Sequence, residues 1–262
     1  MGSLDMVDWW NVNVDAKDKT PDCPVYLAGI SAKDRSIIST PDAEYVRQSW
    51  DEVREIVRSN RLELFQRVPS ELRAYRRFTH WLAQEWGSIA RYLAVCRLHW
   101  PYPPPLPPVS GPRRGGSKGA AGMFGREDEY KILYNDWPYG LDERVVHLVV
   151  WTKFPLEEDP ETQDLTAEAR EAIARFVTET FSPAVKQSSH LLWFKNWSAL
   201  KSVHAIEHLH VMLYDPDPDA IRRLTGDDVP TFRRPEEQRL LLPPERQPSS
   251  KKMLRNAETA SG

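Results

Sequence analysis

Between Trp100 and Gly125 the chain reads WPYPPPLPPVSGPRRGGSKGAAGMFG, and six of the first nine residues are proline. A proline ring fixes φ near −65° and offers no N–H, so neither a helix nor a central strand can run through this segment. The prolines favour an extended polyproline conformation and the glycines after them a flexible one. Any fold must therefore be assembled from the patterned stretches on either side. Residues 100–126 are read as a linker or exposed loop. PPPLPP, residues 103–108, also has the form that docks into an aromatic groove of the SH3 type, although a passive spacer is the simpler reading. Lys118 sits among glycines, but GSKGAAG lacks the GxxxxGK[ST] spacing of a phosphate-binding loop.

On the amino-terminal side the pattern is helical. Residues 1–39 mix aromatics, prolines and short polar runs and are read as an irregular, partly packed arm. A helix is expected from Thr40, with Thr40 as its cap, Pro41 in the first turn, and Asp42 and Glu44 at the positive end of the dipole. Tyr45, Val46, Trp50, Val53 and Val57 would form its apolar stripe. A second helix is expected after Pro69, capped by Ser70, with Leu72, Tyr75, Leu82, Trp86, Ile89 and Leu93 at helical spacing. The two predict an antiparallel hairpin within a helical subdomain, residues 40–99.

On the carboxyl-terminal side the period shortens to two. YKILYNDWPYGLDERVVHLVVWTKF reads as strand, turn and strand, with Pro138 and Gly140 in the turn. A helix from Thr166 to about Phe181 directs Ile173, Phe176 and Val177 inward. HLLWFKN and AIEHLHVMLYD read as two further strands. Strand, strand, helix, strand, strand over residues 127–231 predicts an α+β fold with an antiparallel sheet crossed by a helix. Residues 232–262, rich in Pro, Glu, Arg, Lys and Ser, read as a disordered tail.

Composition narrows the function classes. The 262 residues are 40% hydrophobic and 28% charged with a net charge of −3, which supports a real core and gives no general attraction to nucleic acid. No apolar run is long enough to span a membrane. MGSLDMVDWW has neither a basic start nor an apolar centre, so a cytoplasmic location is expected. Cys23 and Cys96 are the only cysteines and form no zinc-type pair. Asn196 opens an NWS glycosylation triplet, which matters only on a secretory route. The ten tryptophans point to aromatic-rich packing, or to a stacking pocket.

The chemistry concentrates in SVHAIEHLHVMLYD, where His204, His208 and His210 fall within seven residues. His204, Glu207 and His208 spell HxxEH, a zinc-peptidase form that needs a helix, whereas HLHVMLY alternates like a strand. His208 and His210 on one strand face, joined by His147, would suit a mononuclear metal. Alternatively, a strand imidazole attacks phosphorus while its neighbours fix its tautomer. Lys153, Lys195 and Lys201 would then hold phosphate, and Asn135 and Asn196 would bond a sugar. The plainest alternative is that buried histidines are simply satisfied by backbone carbonyls.

YKILYNDWPYGLDERVVHLVVWTKFPL and WFKNWSALKSVHAIEHLHVMLYDPD, with DWWNVNV, DCPVYL, NRLELFQRVPSELRAY and EWGSIARYL before them, closely resemble the fungal N-acetylglucosamine-induced protein family. The resemblance runs from about residue 8 to residue 219 outside the Pro/Gly insert. It implies a cytoplasmic fungal protein linked to amino-sugar response or metabolism. The order of HLVVWTK, helix, Asn-bearing strand and histidine-rich strand is also similar in architecture to the HIT-like superfamily of histidine-triad and galactose-1-phosphate uridylyltransferase enzymes. That likeness implies a hydrolase or transferase acting on a phosphorylated or nucleotide-linked sugar, with no cofactor and no metal. The alternating triad is incomplete in either register. With His208 in the middle the first position is Ile206; with His210 in the middle the third is Met212. On that reading His210 is the nucleophile, His208 supports it, and Lys153, Lys195, Asn196, Asn135 and His147 bind substrate. A non-catalytic binding or regulatory protein on a degenerate fold of this kind, or a metal-dependent small-molecule enzyme, are the alternatives.

Overall fold

The computed structural model describes residues 8–103, 123–162, 164–197, 200–201 and 203–234. All of PPPLPP after Pro103, and the segment from residue 235 onward, lie outside the described residues.

Four strands make one antiparallel sheet: β1 (Tyr130–Tyr134), β2 (Val145–Thr152), β3 (Leu191–Phe194) and β4 (Glu207–Tyr214), in the order β1-β2-β4-β3. Side chains alternate across a strand, so β4 divides into two sets. Leu209, Val211 and Leu213 join Leu148 and Val150 of β2 on one face. That face packs on Ile173, Val177 and Phe181 of a helix spanning Ala167–Phe181, and on Ala220 and Ile221 of another spanning Pro218–Thr225. His208, His210 and Met212 point to the other face, where Val149, Trp151 and Phe194 are their cross-strand neighbours. Because both faces are covered, β2 and β4 are buried almost end to end. The strand–strand–helix–strand–strand order of an α+β protein is as expected from the sequence, and Thr166 caps its helix by accepting from the Ala169 N–H.

The second face is roofed by the amino-terminal helices: α1 (Ala32–Ile38), α2 (Trp50–Arg58), α3 (Pro69–Glu85) and α4 (Ile89–Tyr92). The helices already described on the first face are α5 (Ala167–Phe181) and α6 (Pro218–Thr225). A wider π-helical turn, Leu93–Leu98, continues α4. Here several expectations are corrected. The first long helix starts at Ser49, not Thr40. Ser49 and Glu52 form a complete capping box, whereas the Thr40 hydroxyl donates back to the Ser36 carbonyl of α1. Asp42–Glu44 is a single 3₁₀ turn, and Val46, 83% exposed, belongs to no stripe. Val68 rather than Ser70 precedes the second helix. Pro69 occupies its first position, where a missing N–H costs nothing, and the Ser70 N–H goes to Asp42 Oδ1. Gly87, at φ +71°, separates α3 from α4.

The long helices do not share a hairpin interface. Trp50, Val53 and Ile56 of α2 pack on Phe194 and Met212 of the sheet. Leu72 of α3 packs on Ile37 and Ile38 of α1, and Phe78 and Leu82 on Tyr92 and Trp137. Residues 8–39 of the arm are therefore a structured part of the roof, with Leu27 and Ile38 almost inaccessible. Among the described residues no helix is long and apolar enough to cross a membrane.

Candidate functional site

Between this roof and the sheet lies a cavity of about 100 Å³. Its floor is Val149, Trp151, His208 and His210 from β2 and β4, and its roof is Tyr75, Phe78 and Leu82 from α3. The β1–β2 turn supplies Asn135, Asp136, Trp137 and Tyr139, and Arg67, Thr79 and Asn196 add to the polar lining.

The histidines form a hydrogen-bonded group across two strands. His147 Nε2 and His210 Nδ1 are 3.0 Å apart. Asn196 Nδ2 lies 3.1 Å from His210 Nε2, and Asn135 Nδ2 lies 3.2 Å from His147 Nε2. The Asn135 amide is oriented by its oxygen, which accepts from the Trp137 N–H at 2.9 Å. Whichever ring nitrogen carries the proton, His210 has a partner at each of its two nitrogens, His147 at Nδ1 and the Asn196 amide at Nε2. Both nitrogens of His210 are therefore engaged.

His208 is different. Its Nδ1 donates to the Ile206 carbonyl at 2.9 Å, which places the lone pair on Nε2. Nε2 has no hydrogen-bond partner among the described residues, yet it is not a sealed atom, and the ring lines the cavity. The ring also packs at a tilt of 32° against Trp151, with centroids 4.5 Å apart. Burial holds all three imidazoles neutral: it pushes His208 down to about 4 and His147 down to about 3, and moves His210 well below the usual histidine range. The Arg67 charge adds to the effect at His147 and His210.

The other expected site residues divide. Asn135 and Asn196 line the cavity, and His147 stands behind His210. Lys153 lies outside, with its ammonium 5.2 Å from the Trp100 ring centre. Lys195 and Lys201 are also outside, buried in ion pairs with Glu158 and Glu207. Neither Lys153 nor Lys195 is thus placed to hold a ligand in the cavity. His204 is exposed in a bend, so the HxxEH spacing is not presented on a helix. Among the described residues no group of three or more His, Cys, Asp or Glu side chains is arranged to hold a metal ion.

Arg67 was not expected from the sequence, and a stacking pocket was only one of two readings of the tryptophans. Arg67 precedes α3 in an ordinary stretch, RVPSEL, with nothing to mark it among the other arginines. A further device holds the cavity's edge. Arg97, 2% exposed on the π-helical turn, donates to Asp228 at 2.7 and 3.0 Å and to Asp136 at 3.0 Å. Asp136 also accepts from the Thr231 N–H, and Asp228 from the Tyr134 N–H. The turn carrying Asn135 and Trp137 is thereby tied to the helical roof and to the segment after α6.

The protein is thus of an α+β class in which a four-stranded antiparallel sheet, roofed by helices, presents neutral histidines to an aromatic cavity. The chain belongs to the family described as Protein of unknown function (DUF3605), whose model matches residues 49–214. It is 30% identical over 182 residues to N-acetylglucosamine-induced protein 1 of Candida albicans, covering 67% of this chain and 72% of that protein. It is 26% identical over 183 residues to an uncharacterized protein of Saccharomyces cerevisiae, covering 70% of this chain and 86% of the relative. A solved structure titled Crystal Structure of HTC1 aligns at 24% identity with a TM-score of 0.49, covering 69% of this chain and 94% of that one.

Proposed function

We propose that the cavity binds a small sugar derivative of the N-acetylglucosamine type and that His208 acts on it through Nε2, either as a proton acceptor or as a nucleophile that forms an Nε2–P bond while the P–O bond to the sugar breaks and the sugar oxygen leaves, taking a proton from water. The observation that carries this reading is the fixed tautomer of His208. Its Nδ1–H is committed to the Ile206 carbonyl, its Nε2 lone pair is open, and burial keeps the ring neutral at physiological pH. This moves the central role from His210, whose two nitrogens are occupied, to its neighbour. Support for the ligand class comes from the lining: aromatic faces suit the apolar side of a sugar ring, and Asn135 and Asn196 suit its hydroxyls. The printed name of the Candida albicans relative points the same way.

A second reading, a binding protein without turnover, is favoured by Met212. It occupies the third alternating position of β4, fully buried, and brings no N–H to a ligand.

The test is thermal stabilisation and product analysis with N-acetylglucosamine, its monophosphates and UDP-N-acetylglucosamine, on the wild type and His208→Asn. Stabilisation with turnover that falls about 10²-fold or more in the variant supports the first reading. Stabilisation without turnover selects the second. If none of these compounds stabilises the protein, both are wrong.

A further inference from the structure

We infer that Arg67 is an anion-binding residue of the cavity, so that the ligand carries one oxyanion, a phosphate monoester or a carboxylate, seated on its guanidinium. The inference deepens the proposed function and rests on that reading of the site.

Among the described residues that line the cavity, Arg67 is the one lysine or arginine. Its Nε donates to the Trp137 carbonyl at 2.9 Å, and its plane lies over Tyr75, 4.3 Å from the ring centre, and near Tyr139 at 5.4 Å. These contacts fix the fork but use only one of its five N–H groups. The two terminal nitrogens have no acceptor among the described residues, and they are not sealed. No carboxylate among the described residues comes within salt-bridge distance of Arg67. The Glu71 carboxyl, on the first turn of α3, feels its charge without pairing with it.

The neighbouring cations behave otherwise. Arg97, Lys195 and Lys201 are each matched to carboxylates. Asp136, which shares the cavity wall, is already claimed by Arg97. The three imidazoles are neutral, so they neither compete for an anion nor balance Arg67. Among its described residues the cavity therefore holds a single fixed positive charge with unused, preoriented donors, the arrangement that recognises a bidentate oxyanion. One guanidinium matches one such group. A sugar monophosphate or sugar acid fits it better than a nucleotide-linked sugar, whose diphosphate would lack a second cation.

The probes are inorganic phosphate, acetate, N-acetylglucosamine, N-acetylglucosamine 6-phosphate and UDP-N-acetylglucosamine, titrated by calorimetry into the wild type, Arg67→Gln, Arg67→Lys and His204→Asn. Wild type should bind phosphate or acetate, and the stronger of the two identifies the oxyanion. Arg67→Gln should weaken it by about tenfold or more, as expected for lost charge-assisted hydrogen bonds. Arg67→Lys should fall between, since it keeps the charge and loses the fork, and it serves as the control if the glutamine variant unfolds. His204→Asn, at an exposed bend outside the cavity, should retain the anion within about twofold. In the wild type the 6-phosphate should outbind the unmodified sugar, and Arg67→Gln should abolish that preference. Anion binding unchanged in Arg67→Gln, or tightest for the diphosphate sugar, overturns the inference. Binding of the unmodified sugar with no preference for its phosphate also overturns it, while sparing the proposed function. Phosphate held by Arg67 with no sugar bound does the reverse.

Discussion

Replacing Arg97 with methionine removes the charge that joins three separate parts of the chain. The side chain is 1% exposed, Asp228 is 5% exposed and Asp136 is 19% exposed. Methionine keeps much of the stem volume but leaves two carboxylates near apolar walls without their main partner; Arg234 retains one contact with Asp228 at 3.1 Å. Breaking a buried pair from one side costs about 3–5 kcal/mol, because an unpaired charge is left behind. Whole-protein stability is on the order of 5–15 kcal/mol, so the loss is a large fraction of it. For a chain of this size each kcal/mol moves the melting temperature by about 2–4 °C, which predicts a drop of about 6–20 °C. Urea denaturation followed by tryptophan fluorescence should show a lower midpoint at an unchanged slope. Arg97→Lys should lie between, since it keeps the charge without the fork to Asp228. Against Asp228→Asn, the double-mutant cycle should show coupling of about 0.5–3 kcal/mol. If Arg97→Met loses less than about 1 kcal/mol, or the two substitutions are additive, the network does not hold the turn and this account of the cavity's edge is wrong.

Stability should fall as pH is lowered from about 6.5 towards 4. There the unfolded chain takes up protons on histidines that the folded chain keeps neutral, His208 to about 4 and His147 to about 3. Each pH unit of displacement is worth about 1.4 kcal/mol, so His208 alone accounts for up to about 3 kcal/mol. Urea midpoints across this range should flatten in His208→Asn, and an unchanged slope would remove the buried, neutral imidazole from the picture. Gly140→Ala should cost about 1–3 kcal/mol, because a methyl there would sit 2.7 Å from Tyr45 Cε1. The Tyr45 hydroxyl also donates to the Gly140 carbonyl at 3.2 Å, so the phenol has little freedom to retreat. A melting curve that matches the wild type would show that Tyr45 gives way at no cost.

The α+β class was legible because period and punctuation are local properties of the chain. The unbroken apolar run in HLVVWTK and the alternation in HLHVMLY, with DWPYG between the first pair of strands, are enough to specify an antiparallel sheet in which His208 and His210 share a face. The helix starts were less legible. Thr40 and Ser70 each look like caps, and which residue serves was decided by competing partners, the Ser36 carbonyl for Thr40 and Asp42 for the Ser70 N–H. The hairpin failed for a related reason. An apolar stripe shows that a helix must bury a face but not against what, and Trp50, Val53 and Ile56 found the sheet.

The candidate site divides along the same line. Sequence by itself determined that imidazoles would alternate along a strand, with Asn135 and Asn196 near their ends, because spacing two residues apart is a property of one extended segment. Only the tertiary structure decided that His147 would cross from β2 to meet His210, and that the Ile206 carbonyl would fix the His208 tautomer. It also sent Lys195 to carboxylates and left Arg67 in the cavity with donors to spare. Such outcomes depend on which distant groups the packed chain brings within about 3 Å, and hydrogen bonds and ion pairs decay over that distance. No pattern confined to neighbouring residues carries that information.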